Sequence, residues 1–284
     1  METQKIYLRK KMTSDIEIAT QRLGDRLWRL NNLYYIIDKK GQKIKFSMNW
    51  AQQQLYEDIH YCNIILKARQ LGITTFITLL FLDVALFNSN ISCGIISDTE
   101  ENAKYIFRKI KFAYDSLPEE LKLIREAKID SAKELTFSNN SLIRVGTSLR
   151  SATFQYLLIS EYGKIAVDDI KRANEILTGS LNTIAIGSYC FIESTARGRS
   201  GIFYDMCIES KKNEDKQKQL TKMDYKFHFL PWWKDPNYRI RQGGIAIPED
   251  LQEYFSMLSL KNIDLDHEQQ CWYAAKLSTQ AENM

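Results

Sequence analysis

Three short stretches carry side chains of the type, and at the spacing, that handle phosphate. The first is Asn63-Ile64-Ile65-Leu66-Lys67-Ala68-Arg69-Gln70-Leu71-Gly72-Ile73-Thr74-Thr75, an apolar run that passes through a short polar loop into an apolar helix. A strand turning into a helix start offers an anion free backbone amides and the positive end of a helix dipole. Gly72 falls on the second glycine of the pattern G-x-x-x-x-G-K-[ST], and Thr74 on the hydroxyl that ligates magnesium there. Two positions depart from it: Lys67 stands at the first glycine and Ile73 at the lysine. The chemistry needs a cation near the β- and γ-phosphates, whichever position supplies it. Lys67, folding back from the front of the loop, is the expected source. Arg69 is a second, able to grip phosphate oxygens in bidentate fashion. Taken alone, the stretch equally describes a core strand and a helix joined by a turn.

The second stretch, Tyr156-Leu157-Leu158-Ile159-Ser160-Glu161, is an apolar strand ending in a polar pair. An acid in that place orients or deprotonates water for attack on a γ-phosphate, which makes Glu161 the expected base. Ser160 takes the place of the usual Asp, so a magnesium contact from it is a hydroxyl or passes through water. The third, Tyr189-Cys190-Phe191-Ile192-Glu193-Ser194-Thr195-Ala196-Arg197-Gly198, puts two hydroxyls, Ser194 and Thr195, at a strand tip, where they can sense the γ-phosphate. Upstream, Gln52 in Asn49-Trp50-Ala51-Gln52 carries an amide that presents both donor and acceptor to an adenine edge. Arg144 and Arg150 flank Gly146-Thr147-Ser148, and an arginine leaving a strand edge can serve a neighbouring subunit's ATP as a finger.

The elements that must position these groups follow a repeating grammar. Candidate strands are Asn63–Lys67, Ile91–Ser97, Leu142–Val145, Tyr156–Ile159, Tyr189–Glu193 and Tyr225–Leu230. Several are apolar without alternation, as in strands covered on both faces. Helices are expected at Thr74–Phe87 and Glu100–Ser116, the second opened by the capping signal Asp98-Thr99-Glu100-Glu101. Strands alternating with helices predict an α/β fold, a mostly parallel sheet with helices on both faces. Ahead of it, Thr13–Leu33 reads as a helix and Leu33–Phe46 as two strands about a glycine turn. Behind it, Pro231-Trp232-Trp233 breaks the pattern, and helices follow at Glu249–Leu260 and about Asp264–Lys276. The expected divisions are 1–48 (attachment), 49–235 (core) and 236–284 (small helical lid).

Composition narrows the classes further. The 284 residues are 44% hydrophobic and 26% charged, with twelve glycines and four prolines, a globular balance with no low-complexity segment. Net charge is +4, mild enough to suit a polyanion without requiring one. The five cysteines are scattered with no CxxC or Cys/His grouping, which argues against a disulfide framework and a zinc site. The greasiest run, Phe76–Phe87, is interrupted by Asp83 and too short to span a bilayer. The lysines from Lys211 to Lys226 are interleaved with acids and read as a solvated face.

Taken in order, Asn49–Gln52, Leu66–Thr75, Ile159-Ser160-Glu161-Tyr162-Gly163-Lys164-Ile165 and Glu193–Gly198 resemble the large terminase subunit of tailed double-stranded DNA phages. The likeness runs from about Leu33 to Tyr238. It implies a P-loop NTPase fold of the ASCE, RecA-like kind, an ATPase motor and the cofactors ATP and Mg2+. The implied partners are double-stranded viral DNA, a portal protein, a small terminase subunit and a homo-oligomeric ring, with no membrane, in the cytoplasm of the bacterial host. By position it implies Gln52 for adenine, Lys67, Ala68, Arg69, Gln70, Leu71, Gly72, Ile73, Thr74 and Thr75 around the phosphates, and Thr74 with Ser160 for magnesium. Glu161 is then the base, Ser194 and Thr195 the coupling motif and Arg150 the finger. The family's nuclease, which needs several carboxylates about two metals, is not expected here. The late acids Asp264, Asp266 and Glu268 read as a helix start. A helicase-like ATPase, or a non-hydrolysing DNA-binding or assembly module on the same core, stands as the alternative.

Overall fold

Apolar runs covered on both faces can only be satisfied in the middle of a layered sheet, and that is where the chain puts them. The structure, a computed structural model, describes residues 17–149, 153–180, 184–241 and 245–281. It divides into two compact units, Met1–Phe229 and Leu230–Met284. The first unit begins with helical residues 17–24 (α1), helix α2 (Arg26–Asn32) and a hairpin of β1 (Tyr35–Ile37) and β2 (Lys43–Lys45). Then come α3 (Trp50–Glu57), β3 (Cys62–Lys67), α4 (Ile73–Phe87), β4 (Ser92–Ile96), α5 (Glu100–Asp115) and α6 (Glu119–Ile124). Next are β5 (Ala127–Asp130), β6 (Glu134–Phe137), β7 (Leu142–Gly146), β8 (Phe154–Ser160), α7 (Tyr162–Asp168) and α8 (Ile170–Glu175). The unit closes with β9 (Ile184–Ser194), α9 (Ile202–Asp215) and β10 (Tyr225–Leu230), whose last residue falls in the second unit.

The eight-stranded sheet has the order β10-β3-β9-β8-β4-β7-β6-β5. From β3 to β7 every pairing is parallel, so those five strands end on one edge. The expected mostly parallel α/β sheet is therefore present. Leu157, Leu158, Ile159, Phe191 and Ile192 are wholly buried, each contributing on the order of 1.5–3 kcal/mol of apolar burial. Two strands escape the sequence pattern: β5 and β6 pair antiparallel at the edge. They are short, and β5 is largely exposed, so the apolar signal is weak and charges guard the edge. Arg144 is occupied across this region, donating to Glu134 at 2.7 Å.

The expected front helix breaks at Asp25, whose side chain accepts from the Leu27 amide and starts α2 afresh. The hairpin turns at Gly41, with φ +77°. At α5 the N-cap is Thr99, accepting from the Asn102 amide. Asn102 at the third helical position sends its own side chain to Asp98, so the expected capping box is only a cap.

In the second unit, α10 (Glu249–Ser259) and α11 (His267–Ala281) bury Leu251, Phe255 and Ala274. Trp232 lies 5.0 Å from the Trp272 ring and 5.7 Å from Tyr273, a packing role. Asp266 caps α11 in a reciprocal pair with Gln269, as the late acids foretold. Among the described residues, no helix is long and apolar enough to cross a membrane.

Candidate active site

The loop between β3 and α4 is shaped by two carboxamides from α3. Asn49 donates to the Leu71 carbonyl at 3.0 Å and Gln52 to the Gly72 carbonyl at 2.9 Å. Successive carbonyls held on one side commit them away from a ligand, the arrangement a phosphate cradle needs of its peptide planes. Gln52 is engaged at both ends, since its oxygen accepts from the Asn49 amide at 2.9 Å in a capping box. An adenine contact from Gln52 would require that brace to open. Gly72 has φ +72°, and a Cβ there would stand 2.6 Å from the Gln52 amide nitrogen. Only glycine fits both the backbone and the brace. It is the N-cap of α4 with no capping side chain, so the first-turn amides are left to an incoming anion. Ile73, in the lysine's place, is buried and anchors the helix start to the core, as Leu71 anchors the loop. Gln70 sits at φ +60° and accepts from Lys39 of the hairpin at 3.1 Å. Arg69 is exposed along with it, beside Ala68.

Strand order then delivers the charges. In the register of β9, Glu193 lies opposite Ile65 of β3 and Ser160 of β8, so the three strand ends meet at one level. Lys67 folds back as expected: its ammonium is 3.0 Å from Glu193 Oε2 and 3.3 Å from Glu161 Oε1. Burial pulls the Lys67 pKa down, but Glu193 and then Glu161 outweigh it, and the net shift is upward. The lysine is firmly charged. Glu161, about one-third exposed, caps α7 at φ +56°, a left-handed conformation that is costly for a residue with a side chain. Strain of this kind collects at functional positions. Thr74 Oγ1 donates to Glu193 Oε1 at 2.8 Å, and Ser160 Oγ donates to the same oxygen at 2.7 Å.

Lys67, Thr74, Ser160 and Glu161 thus come together, with Gly72 and the helix start beside them. Ser194, wholly buried, has no hydrogen-bond partner for its hydroxyl among the described residues, and a Cβ on Gly163 of α7 would meet that oxygen at 2.8 Å. It faces the α7 packing. Thr195, half-buried, follows the strand, and Thr75 gives its carbonyl to Thr78. Arg150 lies outside the described residues. The group that sequence reasoning passed over is Glu193, quoted in its motif but assigned nothing. Its signal was there: an ionisable residue closing an apolar strand in a chain whose neighbouring strand lacks the usual acid. The lysine-rich stretch is largely paired, Lys211 with Glu214 and Asp215, Lys212 with Glu209, Lys218 with Asp224 and Lys226 with Asp58.

No family model matches the sequence, and a comparison with curated proteins returns no match. Solved structures do. The ATPase domain of the Thermus phage P74-26 large terminase is similar with a TM-score of 0.50 at 15% identity, over 76% of this chain and 88% of that one. The HK97 bacteriophage large terminase is similar with a TM-score of 0.58 at 13% identity, over 91% of this chain and 51% of that one. The chain therefore spans about half the length of the HK97 protein. What the resemblance in the motifs implied for architecture holds: the chain has the P-loop ATPase fold found in phage large terminases.

Proposed function

We propose that the chain is an ATP-hydrolysing motor of viral DNA packaging, the ATPase portion of a large terminase. One observation carries this reading: Lys67 and Glu161, from strands separated by β9, meet within 3.3 Å beside an uncapped helix start. A cation for phosphate, a carboxylate for water and free amides for oxygen anions are the parts that phosphoryl transfer requires.

Before nucleotide arrives, Lys67 is held between two carboxylates and Glu161 is paired. The terminal phosphates compete for the same ammonium, and as Lys67 turns toward them Glu161 is released to take a proton. Water then bonds to the γ-phosphorus as the bond to the bridging oxygen breaks, with Glu161 accepting the proton and ADP leaving with the electron pair. The oxygen donors suit magnesium, a hard cation that takes much of its shell from phosphates and water. Among the described residues no three His, Cys, Asp or Glu side chains converge into a self-sufficient metal site, so the ion would come with the nucleotide. Thr74 would hold it, with Ser160 behind, and the ion would neutralise charge on the phosphates.

Under this reading the partners are double-stranded DNA, a portal, a small terminase subunit and further copies of the chain in a ring, in the host cytoplasm. Grip on DNA would be through phosphates and so steeply salt-dependent. The test is ATP turnover with and without double-stranded DNA. Glu161→Gln is expected to lower turnover by about 10²- to 10⁴-fold, the usual worth of a general base, and Lys67→Ala to abolish it. With Arg150 acting in trans, turnover rises with protein concentration and Arg150→Ala cancels the rise. Tight ATP binding by the wild type with no turnover, even with DNA and ring partners present, would instead make the chain a non-hydrolysing assembly module.

A further inference from the structure

A loop of this type needs a carboxylate facing its Ser/Thr hydroxyl, to hold the magnesium ion that the hydroxyl ligates. At the end of β8, where that acid is expected, the chain has Ser160. A carboxylate stands instead on the next strand. Glu193 is wholly buried, lies opposite Ser160 in the register, and accepts from both Thr74 and Ser160 on one oxygen. Its other oxygen pairs with the Lys67 ammonium at 3.0 Å. A buried carboxylate kept only for the fold is ordinarily closed off on every lone pair. Here the ammonium that closes Oε2 is shared with Glu161, so among the described ion pairs one lysine serves two carboxylates and can be drawn off by an arriving anion.

We propose that Glu193 is the magnesium-positioning carboxylate of this site, acting from β9 in place of an acid at residue 160. By accepting the Thr74 hydroxyl's hydrogen bond it leaves that oxygen's lone pairs for the cation. It also brings the second negative charge that favours a divalent ion once Lys67 turns to the phosphates. Ser160 is then a bracket for Glu193, and its magnesium role passes through that side chain. The inference rests on the ATPase reading above and adds which residue replaces the lost acid.

The test is direct binding of a fluorescent ATP analogue to the full chain, titrated in excess Mg2+ and again in EDTA. In wild type, Mg2+ tightens binding. Glu193→Gln is expected to reduce that gain by about 10- to 100-fold, as loss of an outer-shell partner does at metal sites, while binding in EDTA does not weaken, because Lys67 loses a competitor for the phosphates. Restoring an acid on β8, as Ser160→Asp combined with Glu193→Gln, is expected to return most of the gain. Should Glu193→Gln fail to fold by circular dichroism, Glu193→Asp, which withdraws the carboxylate by one methylene, carries the same comparison. A folded Glu193→Gln with wild-type Mg2+ dependence overturns the proposal, and so does a folded double variant without rescue. Glu161→Gln separates the two levels, because it should stop turnover and leave the Mg2+ dependence of binding intact. Wild type that binds the analogue under neither condition would sink the ATPase reading itself.

Discussion

Asp83 and Glu193 are both wholly buried acids in the first unit, yet their surroundings are opposite. Asp83 interrupts the apolar helix α4 and is closed on both oxygens. Arg29 donates to Oδ1 at 2.8 Å and to Oδ2 at 2.7 Å, and the Tyr34 hydroxyl adds 2.8 Å to Oδ1. Burial, and then Asp83, push the Tyr34 hydroxyl well above its ordinary pKa, so it stays a proton donor. A planar, bidentate guanidinium fixed in the fold has nothing to exchange. It pins α2 and Tyr34 to α4. Glu193 instead faces hydroxyls and a lysine, whose flexible ammonium is a point charge that other anions can attract. The same burial thus serves rigidity in one place and exchangeable charge in the other, and the partner chemistry tells them apart.

The sharpest way to break this contrast is to remove the structural acid. Asp83→Asn leaves Arg29 buried beside a neutral amide, and urea denaturation should show a loss of about 3–5 kcal/mol. A cost below about 1 kcal/mol would mean that the pair contributes no more than a surface one.

A third buried ionisable group sharpens the comparison, because it avoids charge altogether. Burial pulls the His228 pKa down from 6.5 to about 4, against the pull of Asp58. Its Nε2 sits 2.9 Å from Asn63 Oδ1. The folded pKa lies below the unfolded one, so the unfolded chain binds the extra proton. Stability from this group is complete above about pH 6.5 and falls as pH drops toward 4, by up to about 3 kcal/mol. Denaturation curves at pH 7 and 4.5 should show His228→Gln losing less stability on acidification than wild type by roughly that amount. Equal losses would place the histidine outside the acid response.

The smallest effect belongs to the functional acid. Glu193→Gln keeps acceptor and shape, and Lys67 retains Glu161, so denaturation should move by less than about 1.5 kcal/mol, the range of one exchanged hydrogen bond. A loss as large as that of Asp83→Asn would make Glu193 a structural pin too and erase the contrast.

Much of this architecture was legible from local pattern. The turn from β3 into α4 needs a left-handed residue and then an apolar helix, and Gly72 followed by Ile73–Phe87 can be little else. Apolar strands without alternation announced a covered sheet, and the fold-back of Lys67 followed from chain reach and charge. The antiparallel strands β5 and β6 were not legible: β5 is a polar edge strand and β6 buries only Leu135 and Phe137, so both take their shape from the neighbour they pair with. Nor was the break at Asp25, where a side-chain cap outweighs a continuing apolar period.

The carboxamide of Gln52 shows the boundary clearly: its type announced recognition of an adenine edge, but only the packing of α3 against the loop turned it, with Asn49, onto carbonyls. Glu193 shows it again. Its sequence neighbours mark an acid at a strand end, a hint without a partner. Its role exists because β9 is inserted between β3 and β8, bringing three residues more than thirty positions apart from one another, Thr74, Ser160 and Glu193, into hydrogen-bonding distance. Sequence sets what each segment does with its own backbone. The placing of charges across strands is decided by sheet order, a long-range property that no window of residues contains.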